Sequence, residues 1–237
     1  TLNRMVEMEP EHIQTLLTRV SVLFMLDKEA EVIADCLRVI ELDESNHLAW
    51  FLMAKAKRTT GDQLGAIVDL TKAIALKDDF TDAYLLRAEV LLAMKQGQEA
   101  LPDIEKAISL APEEETTYLV RGKIHESLGD LDAAADDYQQ ALDLNPFNED
   151  ACILKGSLLI TKNLLDEAIV FFDEAIEIKP DFAKAYAECG RAKNLKGDKE
   201  GAFEDLKKSI ELNPEGEEAK KFEGQHANFE NKTYMPF

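Results

Sequence analysis

The sequence predicts an all-α fold, a solenoid of antiparallel helix pairs, and three observations carry that prediction. The chain repeats itself every 34 residues, without insertion, from residue 13 to residue 216, and a period of that length marks stacked two-helix units. Within each unit apolar residues recur at three- and four-residue spacing, the period of a helix and not of a strand. A turn signal then divides every unit in two, and in most units proline closes the second half.

The units are 13–46, 47–80, 81–114, 115–148, 149–182 and 183–216, and positions are counted from the first residue of each. Position 8 reads Val20, Ala54, Ala88, Gly122, Gly156 and Gly190; position 20 reads Val32, Ala66, Ala100, Ala134, Ala168 and Ala202. Both are small, as the close crossing of two helices requires. Position 27 follows suit with Val39, Ala73, Ala107, Ala141, Ala175 and Ser209. The turn at positions 15 and 16 is Gly61-Asp62, Gly129-Asp130 and Gly197-Asp198; glycine adopts the left-handed conformation that closes a helix. Asn163 is the next best residue for that slot, whereas Asp27 and Lys95 suit it less, with Gly97 displaced by two. In the second helix positions 21, 24 and 28 are apolar, as in Ile67, Leu70 and Ile74. Pro112, Pro146, Pro180 and Pro214 at position 32 end the second helices of the last four units. Pro102 is expected to delay the start of its helix.

These residues resemble the tetratricopeptide repeat family, whose 34-residue helix-turn-helix has an aromatic at position 4, small residues at 8, 20 and 27, and proline at 32. Trp50, Tyr84, Tyr118 and Tyr186 fill the aromatic slot, while Leu16 and Cys152 depart from it. The resemblance covers 13–216 and is weakest in the first unit. It implies a right-handed superhelix whose first helices line a concave surface where peptides bind. Some members clamp an acidic chaperone tail with lysine, asparagine and arginine at set positions. Here Phe51 with Lys55 and Leu119 with Lys123 stand where that clamp pairs lysine with asparagine, so the clamp is not expected.

Carried backwards, the register puts Pro10 at position 32 and makes residues 1–12 the remnant of a preceding repeat. Carried forwards, it leaves 217–227 as a charged capping helix and 228–237 as a tail without period, in which the glycosylation triplet Asn231-Lys232-Thr233 is expected to be fortuitous.

Charge and composition exclude several functions. With 46% hydrophobic and 31% charged residues the chain is expected to fold, and its formal net charge of -20 repels phosphate backbones and anionic lipid surfaces. Nucleic acid and membrane are therefore not expected partners. No apolar run approaches the roughly 20 residues of a bilayer span, and Thr1 to Glu9 do not read as a leader. A start at Thr1 is compatible with a processed or trimmed N-terminus, and the compartment stays open with the cytoplasm favoured. Cys36, Cys152 and Cys189 lack metal or disulfide spacing and are expected to be buried. His12, His47, His125 and His226 are scattered, and no glycine-rich phosphate loop occurs. Paired acids such as Asp136 and Asp137 read as a solvated helix face. No catalysis, metal or cofactor is expected.

Function is left to the surface. On a helical wheel of about 100° per residue, positions 2, 5, 9, 12 and 13 of each first helix lie opposite its core side. Position 5 nonetheless reads Leu17, Phe51, Leu85, Leu119 and Ile153, and position 12 adds Phe24, Leu92 and Ile160. These side chains either pack against neighbouring first helices or line a groove for a segment of another protein. Lys55, Arg58, Lys123, Lys184 and Arg191 alternate there with Asp82, Glu89, Glu126 and Asp150, so the groove is nearly neutral in an acidic chain. The reading that follows is a non-enzymatic scaffold for a peptide or protein segment. The alternatives are an assembly module that self-associates through its N-terminal end, and the adaptor region of a larger protein.

One further expectation concerns how repeats are locked together. Position 23 is acidic in all but the fifth unit, and position 7 of the following unit is often basic. The pairs Asp69 with Arg87, Asp103 with Arg121 and Asp137 with Lys155 are thus expected to bridge repeats. Pairing inside a unit is disfavoured because it sets Lys155 against Phe171.

Overall fold

A computed structural model describes residues 11–216. The remnant expected at 1–12 lies outside them save for its last two residues, as do the capping helix at 217–227 and the tail. Among the described residues there are twelve helices and no strand. They are α1 (Ile13–Met25), α2 (Glu29–Leu42), α3 (His47–Thr59), α4 (Gln63–Leu76), α5 (Thr81–Ala93), α6 (Gly97–Leu110), α7 (Glu115–Ser127), α8 (Leu131–Leu144), α9 (Glu149–Thr161), α10 (Leu165–Ile178), α11 (Ala183–Lys196) and α12 (Lys199–Leu212). Every 34-residue unit is one helix pair, and the fold class is that of the helical solenoids. The chain falls into two units, Thr1–Ala134 and Ala135–Phe237. In the first, each helix packs on the next in sequence, and first helices also touch first helices. In the second, α9 packs on α10, α10 on α11 and α11 on α12.

The small positions are buried throughout, from Val20 and Val32 in the first repeat to Ala202 and Ser209 in the last. In the first unit Ala54, Leu70 and Ala73 of one repeat form a single core with Ala83, Leu86 and Val90 of the next. Burial at a repeat junction is therefore shared, and neither helix pair could bury its apolar face alone. Ala134 is fully buried at position 20, so Ala134→Leu is expected to cost about 1 to 3 kcal/mol through overpacking. Urea unfolding checks this; an unchanged midpoint would contradict a close helix crossing there.

The turns obey the repeat more strictly than their residues suggest. Position 15 has positive φ in all six units: Gly61, Gly129 and Gly197, but also Asn163, Asp27 and Lys95 at 60°, 51° and 62°. Lys95, not Gly97, takes the strained conformation, because Gly97 already begins α6. For an L-residue that conformation costs on the order of 1–2 kcal/mol, partly offset by the extra chain entropy that glycine must lose. Lys95→Gly is expected to stabilise by about 0.5 kcal/mol or more, read as a higher denaturant midpoint. The aspartate that follows the glycine caps the second helix, as when Asp62 Oδ1 accepts the Gly65 N–H at 2.9 Å.

Pro102 does not delay its helix. It is the sixth residue of α6 and is exposed; the carbonyl it leaves without an intrahelical partner belongs to Gln98, also exposed, where water serves instead.

Four of the position-23 carboxylates pair inside their own repeats. Arg87 donates through Nε and Nη2 to Asp103 at 2.7 Å each, and Arg19 engages Asp35 with the same fork. Lys57 and Lys193, at position 11, lie 2.7 Å from Asp69 and Asp205. Asp137, read as solvated beside Asp136, is buried with Asp35, Asp69 and Asp103. The expectation failed at Lys155, whose ammonium sits 4.8 Å from the Phe171 ring centroid. A cation over an aromatic face is attractive, so an aromatic at position 23 is a substitute for the acid and no obstacle to intra-repeat pairing.

Position 7 still bridges repeats, through position 25 of the preceding unit. Arg87 Nη1 donates to Thr71 Oγ1 at 2.9 Å, Lys155 donates to Gln139, and the Cys189 thiol approaches Asp173 at 3.6 Å. One side chain thus ties its own second helix and the previous one, which fixes register. The Lys57–Asp69 pair is the weaker design: it is at ion-pair distance without a well-aligned hydrogen bond, and burial holds the Asp69 carboxyl above its ordinary range despite the lysine.

Candidate protein-binding face

The first helices of repeats two and three bring four of the expected groove residues together. Phe51, Lys55 and Arg58 lie four and three residues apart on α3, one stripe of a helix. On α5, Asp82, Leu85 and Glu89 form the facing stripe. Between them opens a cavity of about 330 Å³ lined by these six and Leu86. Asn46 starts α3 by accepting the Ala49 N–H at 3.0 Å. The Phe80 ring at the start of α5 packs 4.9 Å from that of Phe51 and edge-on to His47. That contact fixes the Phe51 ring at the cavity mouth.

Charge in this cavity is balanced locally. Arg58 Nη1 meets Glu89 Oε2 at 2.5 Å, a tie between α3 and α5 with both side chains about one-third exposed. Lys55 is exposed and lies 5.3 Å from the Phe24 ring centroid, so it joins the α1 aromatic to the same surface. A ligand entering here meets an aromatic, an aliphatic wall and one ready-made ion pair it can exchange with.

A second cavity of about 310 Å³ opens between α1 and α3, lined by Gln14, Leu17, Thr18, Ser21, Leu48 and Leu52. It carries no charge. The sequence reading included Leu17 but missed Leu48, although position 2 was assigned to the same wet side; only positions 5 and 12 had been followed along the repeats.

Other expected members stand differently. Leu119 is 7% and Ile153 1% exposed, so both belong to the core, and Leu17, Phe51 and Leu85, half-buried, are the position-5 residues that offer surface to a ligand. Position 5 is at the edge of the core stripe, where the helical period fixes an angle and not a depth. Leu92 packs beside the Ala88–Ile104 core. Lys123 is exposed; Ile160 and Arg191 belong to the second unit, where Ile160 is half-buried and Arg191 is held by Glu188. The three thiols are buried; burial pushes Cys36 up to about 12 and Cys152 to about 11, and raises Cys189 as well, which keeps them protonated and inert. Among the described residues no group of three or more His, Cys, Asp or Glu is arranged to hold a metal ion, and no helix is long and apolar enough to cross a membrane.

A helix pair repeated in register, with small residues at each crossing and a lined face on its first helices, is the build of a protein-interaction scaffold. The chain belongs to the tetratricopeptide repeat family: profiles of the tetratricopeptide repeat match residues 119–183, and residues 81–114 and 183–215. No curated protein sequence matches it. Among solved structures it is similar to MamA, at 26% identity and a TM-score of 0.60 over 70% of this chain and 91% of that one. It is also similar to YrrB, described as a TPR protein with an unusual peptide-binding site, at 24% identity and a TM-score of 0.59 over 80% and 97%. PilW, described as a type IV pilus biogenesis factor, superimposes with a TM-score of 0.81 over 89% and 97% at 15% identity. The YrrB and PilW likenesses, under 25% identical, show the fold alone.

Proposed function

We propose that the chain is a non-enzymatic scaffold that takes a peptide or protein segment on the first-helix face of its N-terminal repeats. The observation that carries this is the cavity between α3 and α5, where Phe51 and Leu85 stand beside Lys55, Arg58, Asp82 and Glu89. An apolar anchor buried next to a side chain that can form a directional bond is the usual make-up of an interaction hot spot. The uncharged cavity at Leu17, Leu48 and Leu52 extends the face along α3 and suits a neutral stretch of the same segment. Because the acid and base in the first cavity neutralise each other, the ligand is selected for shape and apolar anchors more than for charge. That YrrB is described as carrying a peptide-binding site agrees with a peptide ligand for this fold.

Selection of a displayed random-peptide library on the wild-type chain tests the reading, with Phe51→Ser and Leu85→Ser as counter-screens. Peptides are expected to bind the parent and to lose roughly 30-fold or more in affinity on either variant, since truncating a true anchor costs about 2 kcal/mol or more. Peptides that bind both variants as tightly as the parent would overturn it. Light scattering on the same samples separates an assembly module, which would self-associate, from a monomeric binder.

A further inference from the structure

In four repeats the position-4 aromatic does a second job besides packing: it donates to the position-32 carbonyl of the repeat before. Trp50 Nε1 reaches the Glu44 carbonyl at 3.1 Å, Tyr84 Oη the Asp78 carbonyl at 3.4 Å, Tyr118 Oη that of Pro112 at 3.1 Å and Tyr186 Oη that of Pro180 at 3.4 Å. Position 26 of the second helix flanks this slot. In the second repeat Lys72 sits there, 5.9 Å from the Trp50 ring centroid and 3.4 Å from Glu44.

The junction of the fourth and fifth repeats breaks every part of this arrangement at once. Position 4 is Cys152, buried and too short to put a ring hydroxyl on the Pro146 carbonyl. Position 26, elsewhere Arg38, Lys72, Lys106, Gln140 and Lys208, is Glu174. Position 33, elsewhere serine or an acid, is Phe147, and its ring is 76% exposed. At this place the structure has a cavity of about 620 Å³ lined by Pro146, Phe147, Glu174, Glu177 and Ile178. The local bases make their direct contacts elsewhere: Lys179 with Glu149 and the Phe182 ring, and Lys155, which feels Glu174 only through its charge, with Gln139 and the Phe171 ring.

We propose that this cavity is a second binding site, which receives an arginine side chain of a partner protein. The helix pair does not need an aromatic at position 33 or an acid at position 26, since five of the six repeats do without each. Together they supply a flat ring face for a guanidinium to stack on and two carboxylates, Glu174 and Glu177, to accept its N–H groups. The Pro146 carbonyl, which lacks the aromatic donor its counterparts have, offers a third acceptor. A planar cation with five donors answers all three features. A tyrosine from the partner would restore the ring and the hydroxyl, but it gives no account of why the base at position 26 has become an acid.

The experiment is a titration of the isotopically labelled chain with acetyl-Gly-Arg-Gly-amide, followed by NMR at Phe147 and Ile178. Tyrosine and lysine versions of the peptide serve as comparisons. Saturable shifts confined to these residues are expected with the arginine peptide, with binding at least about tenfold weaker for the other two. Glu174→Lys, a change at an exposed position, is expected to abolish the shifts by supplying the cation from within. Cys152→Tyr is expected to do so by refilling the slot. No saturable shift with the arginine peptide, equal binding of the tyrosine or lysine peptide, or undiminished binding to Glu174→Lys would each overturn the proposal. Because Glu174 is on the surface, that variant keeps the test decisive even if Cys152→Tyr fails to fold.

Discussion

Arg87→Ala is expected to cost about 3 kcal/mol of folding free energy, far more than an exposed ion pair is worth. The Asp103 carboxylate is 8% exposed and takes both of its bonds from the Arg87 fork, so truncation leaves a buried charge without its partner. The Thr71 hydroxyl loses its arginine at the same time. Asp103→Asn should cost less than Arg87→Ala, because an amide can be left in place at smaller desolvation penalty. Combining Arg87→Ala with Asp103→Ala should recover part of the loss. Urea unfolding of the parent, Arg87→Ala, Asp103→Ala and the double variant in a double-mutant cycle is the check, with a coupling energy of roughly 1 to 3 kcal/mol expected. Coupling near zero would mean that the fork makes no net contribution to stability.

Phe172→Ala should be at least as damaging, at about 3 to 5 kcal/mol. The ring is fully buried, and it lies over Gly156 so closely that a Cβ on that glycine would fall 2.5 Å from Phe172 Cε1. The two residues are therefore a matched pair, one large and one absent side chain at a single helix crossing between α9 and α10. Gly156→Ala by itself should lose about 1 to 3 kcal/mol to overpacking, set against the roughly 1 kcal/mol that alanine gains in helix propensity. With Phe172→Leu in the background the alanine should become neutral or favourable. Hydrogen exchange resolved by helix is the better readout, because in a repeat array the damage should concentrate in the repeats that share the crossing.

The register and the small crossings were legible because each is a local demand repeated six times, and the closing prolines because they recur in four units. Even the left-handed residue at position 15 was placed correctly, although Asp27 and Lys95 were the wrong chemistry for it. The ion-pair partners were not legible. Position 7 faces position 23 of its own repeat and position 25 of the one before, and the 34-residue period does not say which neighbour a side chain reaches. The one clue, Phe171 opposite Lys155, was read as a mismatch when it is an attraction. At the candidate site the stripe Phe51, Lys55, Arg58 and its facing Leu85 were legible from helical periodicity. The burial of Leu119 and Ile153 was not, since equivalent positions in successive repeats sink to different depths as their neighbours change size. Phe147 and Glu174 went unnoticed for a related reason: each is unremarkable alone, and the departure shows only when the junction of the fourth and fifth repeats is set against the hydrogen bonds of the others.

Ligand is expected on the first-helix face, although apolar side chains are more exposed on the second helices, Leu64 at 68% and Val68 at 65%. Methyl and aromatic NMR of the labelled chain, titrated with a library-selected peptide, tests it directly. Shifts at Leu17, Phe51 and Leu85 are expected to saturate together, with Leu64 and Val68 unmoved. Saturation at Leu64 and Val68 with Phe51 and Leu85 unmoved would contradict it.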